Sequence, residues 1–193
     1  HRYGGAEVVQ VEELALPTLK PDELTVRVHA AGVNPIDWKL RAGNMQKMMP
    51  LPLPFTLGGD FSGVVEEGGA EITAFRAGDE VYGQGGVTRG GWGSFAEALV
   101  VKAGTIAAKP RRLDHLEAAA LPLVGVSALQ ALTEHLRVTK GQKVLIHGGA
   151  GGIGSMAIQI ARHLGAWVAT TVAGDDTEFA KSLGAAQVID YRS

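Results

Sequence analysis

Hydrophobic and polar residues alternate over the first part of the chain in short runs that are typical of β-strands. In residues 24–29, LTVRVH, every second residue is apolar, which is the period of a half-buried strand. Similar runs bounded by glycine-rich turns occupy residues 63–66, 79–82 and 95–101. The glycine-rich segment 83–93 is interpreted as a loop within the same domain. These runs predict a small barrel-like β domain over residues 1–112.

After Arg112 the pattern changes to helices and then alternates between strands and helices. Residues 114–121 and 124–134 are predicted helices separated by Pro122, because proline has no N–H group to donate. Three strands are predicted at 143–147, 167–172 and 187–190, and the helices between them at 152–164 and 177–183. This series indicates a parallel sheet with right-handed crossovers. Residues 113–193 thus match one half of a doubly wound dinucleotide fold, and we expect a fragment because the chain stops directly after the third strand.

Residues 144–154, VLIHGGAGGIG, lead from a predicted buried strand through a glycine turn into a predicted helix. The free N–H groups and positive end of a helix start attract anions, so this turn is expected to face a pyrophosphate. The glycines at 149, at 151 or 152, and at 154 allow close approach of backbone to phosphate and of helix to strand. The alternative is a glycine turn that only packs a helix onto a sheet. The predicted cofactor-binding residues of the turn are Gly149, Ala150, Gly151, Gly152, Ile153 and Gly154.

The end of the second strand of this half bears on the choice of dinucleotide. An Asp or Glu usually bonds the free ribose 2′-hydroxyl there, whereas this strand ends in Ala173-Gly174. The missing carboxylate leaves room for a 2′-phosphate and favours NADP(H), although Asp175-Asp176 follow and no arginine lies beside them. Lys181 and Tyr191 are the nearest candidates to hold the phosphate. The alternative for both is a solvated lysine and a half-buried tyrosine.

Composition and charge narrow the classes of partner. The 193 residues contain no cysteine, which excludes disulfides and thiolate zinc sites. The net charge of -2 gives no electrostatic footprint for nucleic acid. The longest apolar stretch, 118–126, is far shorter than the roughly 20 residues that cross a bilayer. No signal peptide can be identified at the start of the chain. We expect a cytoplasmic protein that binds a small molecule and neither membrane nor nucleic acid.

The motifs together resemble the zinc-independent quinone oxidoreductase family of the medium-chain dehydrogenase/reductase superfamily. The resemblance rests on VRVHAAGVNPIDWKLRAG, PFTLGGDFSGVV, GQKVLIHGGAGGIGSMAIQIAR and AKSLGAAQVIDYRS. It implies an α/β protein with a GroES-like β-barrel domain, half of a Rossmann-type domain, and a substrate cleft between them. It also implies NADPH as hydride donor, a quinone or α,β-unsaturated carbonyl as acceptor, and a homodimer by analogy with family members.

By the same resemblance, neither zinc ligand of the zinc-dependent relatives is present. Those relatives carry a cysteine where this chain has Asn34, and a His-Glu pair where it has Gly59-Asp60, and the six histidines show no ligand spacing. We therefore expect no metal. Without a strong Lewis acid, oxidation of simple alcohols is not expected, whereas quinones and enones delocalise incoming charge themselves.

The segment Asn34 to Lys39 is expected beside the nicotinamide by the resemblance. Asn34 would hydrogen-bond the cofactor or a developing enolate oxygen, and Lys39, as a partly buried lysine, would donate a proton. Asp37 would orient these neighbours, and Ser127 stands where the family commonly has a nicotinamide-contacting threonine. The alternatives are that Asp37 caps a turn, that Lys39 is solvated and that Ser127 bonds back to its own helix. Asp60 lies in a glycine-rich turn and receives no role.

Two other classes of function stay open at this point. A dinucleotide-binding redox sensor or structural protein would keep the glycine turn and lose acceptor turnover. These residues alone could also form an inactive fragment, because half of the nucleotide sheet would be absent.

Overall fold

The computed structural model describes residues 2–87 and 92–193. Two compact units follow one another along the chain, the first ending at Leu123 and the second beginning at Val124. The first unit is longer than the sequence pattern suggested, because helix α2 (His115–Ala119) packs against strands of the first sheet. The domain boundary expected after residue 112 stays a prediction.

The first unit is built on a five-stranded antiparallel sheet. Its order is β4-β1-β2-β3-β5, and leucine, valine and phenylalanine side chains from its first four strands form the core. The strands are β1 (Glu23–Gly32), β2 (Asp60–Gly68), β3 (Glu80–Gln84), β4 (Ala98–Lys102) and β5 (Ile106–Ala108), with short 3-10 turns at Ala6–Val8 and Ala103–Thr105. The alternation predicted for residues 24–29 is confirmed, since Leu24 and Val26 are fully buried between more exposed neighbours.

Four details of the first unit differ from the sequence prediction. A helix that was not predicted, α1 (Pro35–Arg41), follows β1 directly, and Pro35 opens it because a first helical residue needs no N–H partner. The strand predicted from residue 95 begins only at Ala98. Of the predicted loop 83–93, residues 83 and 84 belong to β3, and residues 88–91 lie outside the described ranges. Asp60 is the first residue of β2 and not part of a turn.

Helix α3 (Pro122–Gln130) corrects the predicted role of Pro122. Proline does not separate two helices but is the first residue of the second, where its missing N–H is not needed. The helix then continues as a π-helical turn over Ala131–His135, so the predicted helix 124–134 is two elements.

The second unit has the predicted β-α-β-α-β order. Its strands β6 (Lys143–His147), β7 (Trp167–Val172) and β8 (Gln187–Asp190) are parallel in the order β6-β7-β8, and they coincide with the predicted ranges. Helices α4 (Gly152–His163) and α5 (Thr177–Ser182) connect them, with a 3-10 turn at Gly174–Asp176. Ile158 and Ala161 of α4 are fully buried with Val168 in the core. The prediction of one half of a dinucleotide fold is confirmed.

In the part of the chain that the structure describes, no helix combines the length and the apolar character that a membrane crossing requires.

Candidate functional site

The glycine turn between β6 and α4 is a tight reversal in which a Cβ has no space at Gly149 or Gly154. Gly148 has a φ of 69°, a backbone conformation that glycine adopts without strain. A Cβ on Gly154 would collide with the carbonyl oxygen of Gly148 and lie 2.9 Å from the Cα of Gly149. The first turn of α4 therefore packs directly on the end of β6, which is one of the two tasks that the sequence assigned to these glycines.

Two threonines that the sequence analysis missed hold this turn in place from β7. The hydroxyl of Thr170, which is fully buried, donates to the carbonyl of Ile146 at 2.7 Å. A Cβ on Gly149 would collide with that hydroxyl. The Thr171 hydroxyl accepts the N–H of Gly148 at 3.2 Å. The signal in the sequence was the pair of polar, β-branched residues inside an otherwise apolar strand.

The start of helix α4 presents unpaired backbone donors. Gly151 precedes the first helical residue and provides no side chain to cap it. The N–H groups of Gly152, Ile153 and Gly154 find no acceptor among the described residues, and the Ile153 side chain is 50% exposed. Ala150 is half-buried at the turn. Open N–H groups at the start of a twelve-residue helix, preceded by a glycine, fit a phosphate group.

The ends of β7 and β8 carry the residues predicted to choose between dinucleotides. Ala173 is buried and Gly174 is exposed, so neither residue places a carboxylate at the end of β7. A Cβ on Gly174, however, would lie 2.7 Å from Oδ2 of Asp190 on the neighbouring strand. The space beside Gly174 therefore contains a carboxylate that the sequence analysis did not foresee, because the two residues meet only through strand pairing.

The two predicted phosphate ligands are both exposed, which for Lys181 fits the alternative of a solvated lysine. The Lys181 ammonium group donates to Glu178 Oε1 at 2.8 Å in an exposed ion pair. Tyr191 is 62% exposed and not half-buried, and the guanidinium carbon of Arg192 lies 5.8 Å from its ring centroid. Arg192 is thus a cation near this strand end that the sequence analysis missed.

In the first unit, the candidate residues Asn34 and Asp37 belong to a buried polar cluster around Asp60. Asp60 is 1% exposed, and both of its carboxylate oxygens lie within 3.1 Å of the Leu123 N–H at the start of α3. The Asn34 side-chain amide donates to Oδ2 of Asp60 at 2.9 Å, and the Gln84 amide donates to Oδ1 at 3.2 Å. Asp60, to which the sequence analysis gave no role, is the centre of the cluster.

Asp37 lies at the start of α1, directly beside this cluster. Its Oδ2 accepts the Asn34 backbone N–H at 2.7 Å, whereas its buried Oδ1 has no hydrogen-bond partner among the described residues. Burial raises the pKa of Asp37, and the negative charge of Asp60 contributes in the same direction. Burial likewise raises the pKa of Asp60, against the lowering effect of its three donors. Asp37 therefore caps the start of α1 through the backbone N–H of Asn34, a contact that fits the predicted orienting role and equally the alternative of a capping residue.

Lys39 and Ser127 lie in less distinctive surroundings. Lys39 is exposed and not partly buried, and its ammonium nitrogen lies 5.7 Å from the ring centroid of Trp38. Ser127 is half-buried, and its hydroxyl does not bond back to its own helix in the described part of the chain. Thr133, on the turn that follows, does make such a bond, to the carbonyl of Leu129 at 2.8 Å.

The metal-ligating side chains do not gather into a site. Within residues 2–87 and 92–193, no group of three or more His, Cys, Asp or Glu side chains is arranged to hold a metal ion. The rings of His29 and His115 stack at 4.4 Å, a pairing that the sequence spacing did not indicate. The absence of a metal stays a prediction.

Two protein families match parts of the chain. The alcohol dehydrogenase GroES-like domain matches residues 20–111, and the family described as zinc-binding dehydrogenase matches residues 152–193. Among proteins of known name, the 2-methylene-furan-3-one reductase of Solanum lycopersicum is 39% identical over 98% of this chain and 50% of its own length. The mitochondrial NAD(P)H oxidoreductase RTN4IP1 of Bos taurus is 37% identical over 100% of this chain and 52% of its own.

A solved structure shares the fold at similar coverage. Escherichia coli quinone oxidoreductase complexed with NADPH matches with a TM-score of 0.87 and 31% identity, over 100% of this chain and 57% of that one. The chain thus spans about half the length of the relatives that it matches. The fold class predicted from the sequence, a GroES-like domain with half of a Rossmann-type domain, is confirmed.

Proposed function

Because this chain belongs to the medium-chain dehydrogenase/reductase superfamily, among the quinone oxidoreductases, we propose that it transfers hydride from a reduced nicotinamide dinucleotide to a quinone or an α,β-unsaturated carbonyl. The observation that carries this proposal is the glycine turn, where unpaired N–H groups lie at the start of α4 and a Cβ has no space at Gly149 or Gly154. Such a turn after a parallel strand suits a pyrophosphate.

The residues of the second unit would hold the dinucleotide. The N–H groups of Gly152, Ile153 and Gly154 would donate to the pyrophosphate, and Thr170 and Thr171 would keep the turn in its shape. When bound, the dinucleotide supplies the hydride from C4 of its nicotinamide ring. The Ser127 hydroxyl, which is uncommitted among the described residues, would serve as a hydrogen-bonding group toward the nicotinamide.

The residues of the first unit would serve the acceptor. Asn34 keeps one amide hydrogen after donating to Asp60, and that donor would stabilise the oxygen on which charge develops. Asp37 fixes the backbone of Asn34 and is a positioning residue. The exposed ammonium of Lys39, or water, would deliver the proton that balances the hydride, so that the acceptor gains two electrons and two hydrogens.

The residue types support a reaction without zinc, and an acceptor that delocalises charge. The Asn34 amide that stands in place of a cysteine ligand is bonded to Asp60, and Gly59 has no side chain to bind a metal. NADP(H), a homodimer and a cytoplasmic location stay predictions. One relative has both NAD(P)H and mitochondrial in its name, and the solved structure is complexed with NADPH.

The test follows oxidation of NADPH and NADH at 340 nm with a simple benzoquinone and a simple enone, in wild type and Lys39→Ala. We expect turnover with at least one acceptor, and a loss on the order of 100-fold in kcat for Lys39→Ala with unchanged cofactor affinity. Lys143→Ala is the matched control, because the Lys143 ammonium also lies over a tryptophan, 5.6 Å from the ring of Trp167. Cofactor binding without turnover on either acceptor would favour the redox sensor.

A further inference from the structure

Asp60 occupies a closely packed position in the sheet of the first unit, next to the candidate residue Asn34. The register of the strands places Asp60 between Gly32 of β1 and Gln84 of β3. A Cβ on Gly32 would lie 3.0 Å from the Cβ of Asp60 and would collide with the carbonyl oxygen of Ala119. The Ser94 hydroxyl donates to the backbone carbonyl of Asp60 at 2.8 Å. These contacts fix the position of Asp60 at the start of β2.

The carboxylate of Asp60 receives hydrogen bonds from three groups. The Leu123 N–H reaches both oxygens, at 3.1 and 3.0 Å, and the amides of Asn34 and Gln84 reach one oxygen each, at 2.9 and 3.2 Å. The Leu123 N–H belongs to the first turn of the nine-residue helix α3, whose positive end favours a negative charge. These donors stabilise the ionised form of Asp60 and counteract the effect of its burial.

The ionised carboxylate determines which end of the Asn34 amide faces it. A carboxylate only accepts hydrogen bonds, so the amide nitrogen of Asn34 faces Asp60 and the amide oxygen points away. The reversed orientation would place that oxygen against the negative charge. The backbone of Asn34 is fixed separately, because its N–H donates to Asp37 Oδ2 at 2.7 Å. Asp37 therefore holds the main chain of Asn34, and Asp60 sets the direction of its side chain.

The direction of the Asn34 amide matters for the proposed reaction, because hydride transfer places negative charge on an oxygen of the acceptor. An amide N–H stabilises such an oxygen, whereas an amide oxygen repels it. We propose that Asp60 is a positioning residue, which fixes the Asn34 amide so that its second N–H is available to the acceptor oxygen. Asp60 itself is 1% exposed and acts only through Asn34. The inference rests on the proposed function, because it concerns the same Asn34 donor.

The direction of the Asn34 amide is measured by NMR without cofactor or acceptor. Asn34 and Asn44 are the two asparagines of the chain, so asparagine labelled with 15N in its side chain gives two pairs of amide proton signals. Asn44 is exposed and is the internal reference for a solvated amide, and Asn44→Ala assigns the signals. We expect one Asn34 proton downfield of both Asn44 protons, because it faces a carboxylate, and expect this shift to disappear in Asp60→Ala. If Asp60→Ala does not fold, the wild-type spectrum decides alone.

A double-mutant cycle tests whether Asp60 acts through Asn34. With saturating dinucleotide and the acceptor that wild type reduces, we expect Asn34→Ala to lower kcat on the order of 100-fold, the loss of one donor to a developing oxyanion. Asp60→Ala leaves the donor present but misdirected and should lower kcat by about tenfold. In the Asn34→Ala background, Asp60→Ala should lower kcat no further, because the group on which it acts is gone. A merely structural role would give the same loss in both backgrounds.

Ser94→Ala is the matched control for loss of a buried hydrogen bond at the same residue. The Ser94 hydroxyl is buried and bonds the backbone of Asp60, not its carboxylate. The variant is expected to lower the midpoint of urea denaturation, to keep the downfield Asn34 signal and to leave kcat unchanged.

The outcomes are distinct. Wild-type Asn34 signals at the positions of the Asn44 signals, or kcat losses that multiply in the double variant, overturn this inference and leave the proposed hydride transfer standing. A wild type that reduces neither a quinone nor an enone overturns the proposed function, and with it the catalytic consequence of the Asp60 contact, whatever the amide signals show.

Discussion

The two units arrange their candidate chemistry in opposite ways. In the first, buried side chains carry it: Asp60 and Asp37 lie 1% and 3% exposed, and three donors converge on one carboxylate. In the second, the backbone carries it, and what matters at the glycine turn is the absence of side chains. A buried cluster is sensitive to lost charge and lost hydrogen bonds, whereas a glycine turn is sensitive to any added atom. Substitutions that remove a buried side chain therefore test the first unit, and substitutions that add one to the glycine turn test the second.

The largest effect is expected from Gly154→Val in the glycine turn. The added side chain would collide with backbone atoms of Gly148 and Gly149, which cannot move away without displacing β6. We expect a loss of about 3 kcal/mol in the free energy of unfolding, measured by urea denaturation, and loss of dinucleotide binding. Gly125→Ala is the control, because a Cβ on this helical glycine meets nothing within 4 Å, and it should stabilise the protein slightly. Equal stability of Gly154→Val and wild type would refute the close packing.

The next effect is expected from Asp60→Ala in the buried cluster. The substitution leaves the donors of Leu123, Asn34 and Gln84 without their acceptor. We expect a loss of about 2 kcal/mol in the free energy of unfolding, since a buried donor without a partner costs its desolvation. Asp22→Ala, which removes an exposed carboxylate paired with Lys102, should change stability far less, because solvent screens an exposed ion pair. If both variants lose the same free energy of unfolding, the buried cluster does not stabilise the protein more than an exposed ion pair does.

The contrast between the units also explains what could be predicted from the sequence. The strands and the glycine turn of the second unit follow from local patterns, because hydrophobic period and glycine spacing are properties of neighbouring residues. The Asp60 cluster brings together residues 34, 60, 84 and 123, and no local pattern relates them. Helix α1 was missed for a related reason, since its seven residues are too few for an apolar period to show.

The same distinction applies to the predicted site residues. Gly149 and Gly154 were identified correctly as positions where a Cβ does not fit. The sequence analysis considered only Asp175 and Asp176, the carboxylates that follow Gly174 along the chain. The structure shows that Asp190 also approaches Gly174, from the neighbouring strand. Charge near a strand end is therefore a property of the sheet, and a sequence read in order cannot show it.

Asp37→Asn tests the buried cluster of the first unit, because its effect on the free energy of unfolding should depend on pH. Burial raises the pKa of Asp37 in the folded state above the ordinary 3.8, so its contribution to stability is present below pH 3.8 and is lost as pH rises through the raised pKa. At pH 7 the ionised carboxylate destabilises the fold, and a neutral isostere should raise the free energy of unfolding by about 1 kcal/mol.

The measurement is urea denaturation of wild type and Asp37→Asn at pH 7 and at pH 4.5. The advantage of the variant should shrink as the pH falls through the raised pKa of Asp37, because the wild-type carboxyl then gains its proton. Asp60 is present in both proteins, but its charge is one cause of the raised pKa of Asp37, so the difference between the two proteins includes the repulsion between these two carboxylates. A variant less stable than wild type at pH 7 would show instead that the charge of Asp37 stabilises the start of α1.

The smallest effect on stability is expected from Ser127→Ala. The Ser127 hydroxyl is half-buried and makes no hydrogen bond among the described residues, so its removal should change the free energy of unfolding by less than about 0.5 kcal/mol. Thr133→Val is the matched comparison, because the Thr133 hydroxyl donates to Leu129 in the same helical segment. If Ser127→Ala leaves stability unchanged but lowers kcat at saturating dinucleotide, the Ser127 hydroxyl acts on the bound nicotinamide. Unchanged kcat and unchanged dinucleotide affinity would remove Ser127 from the site and leave the glycine turn as the group in the second unit that holds the cofactor.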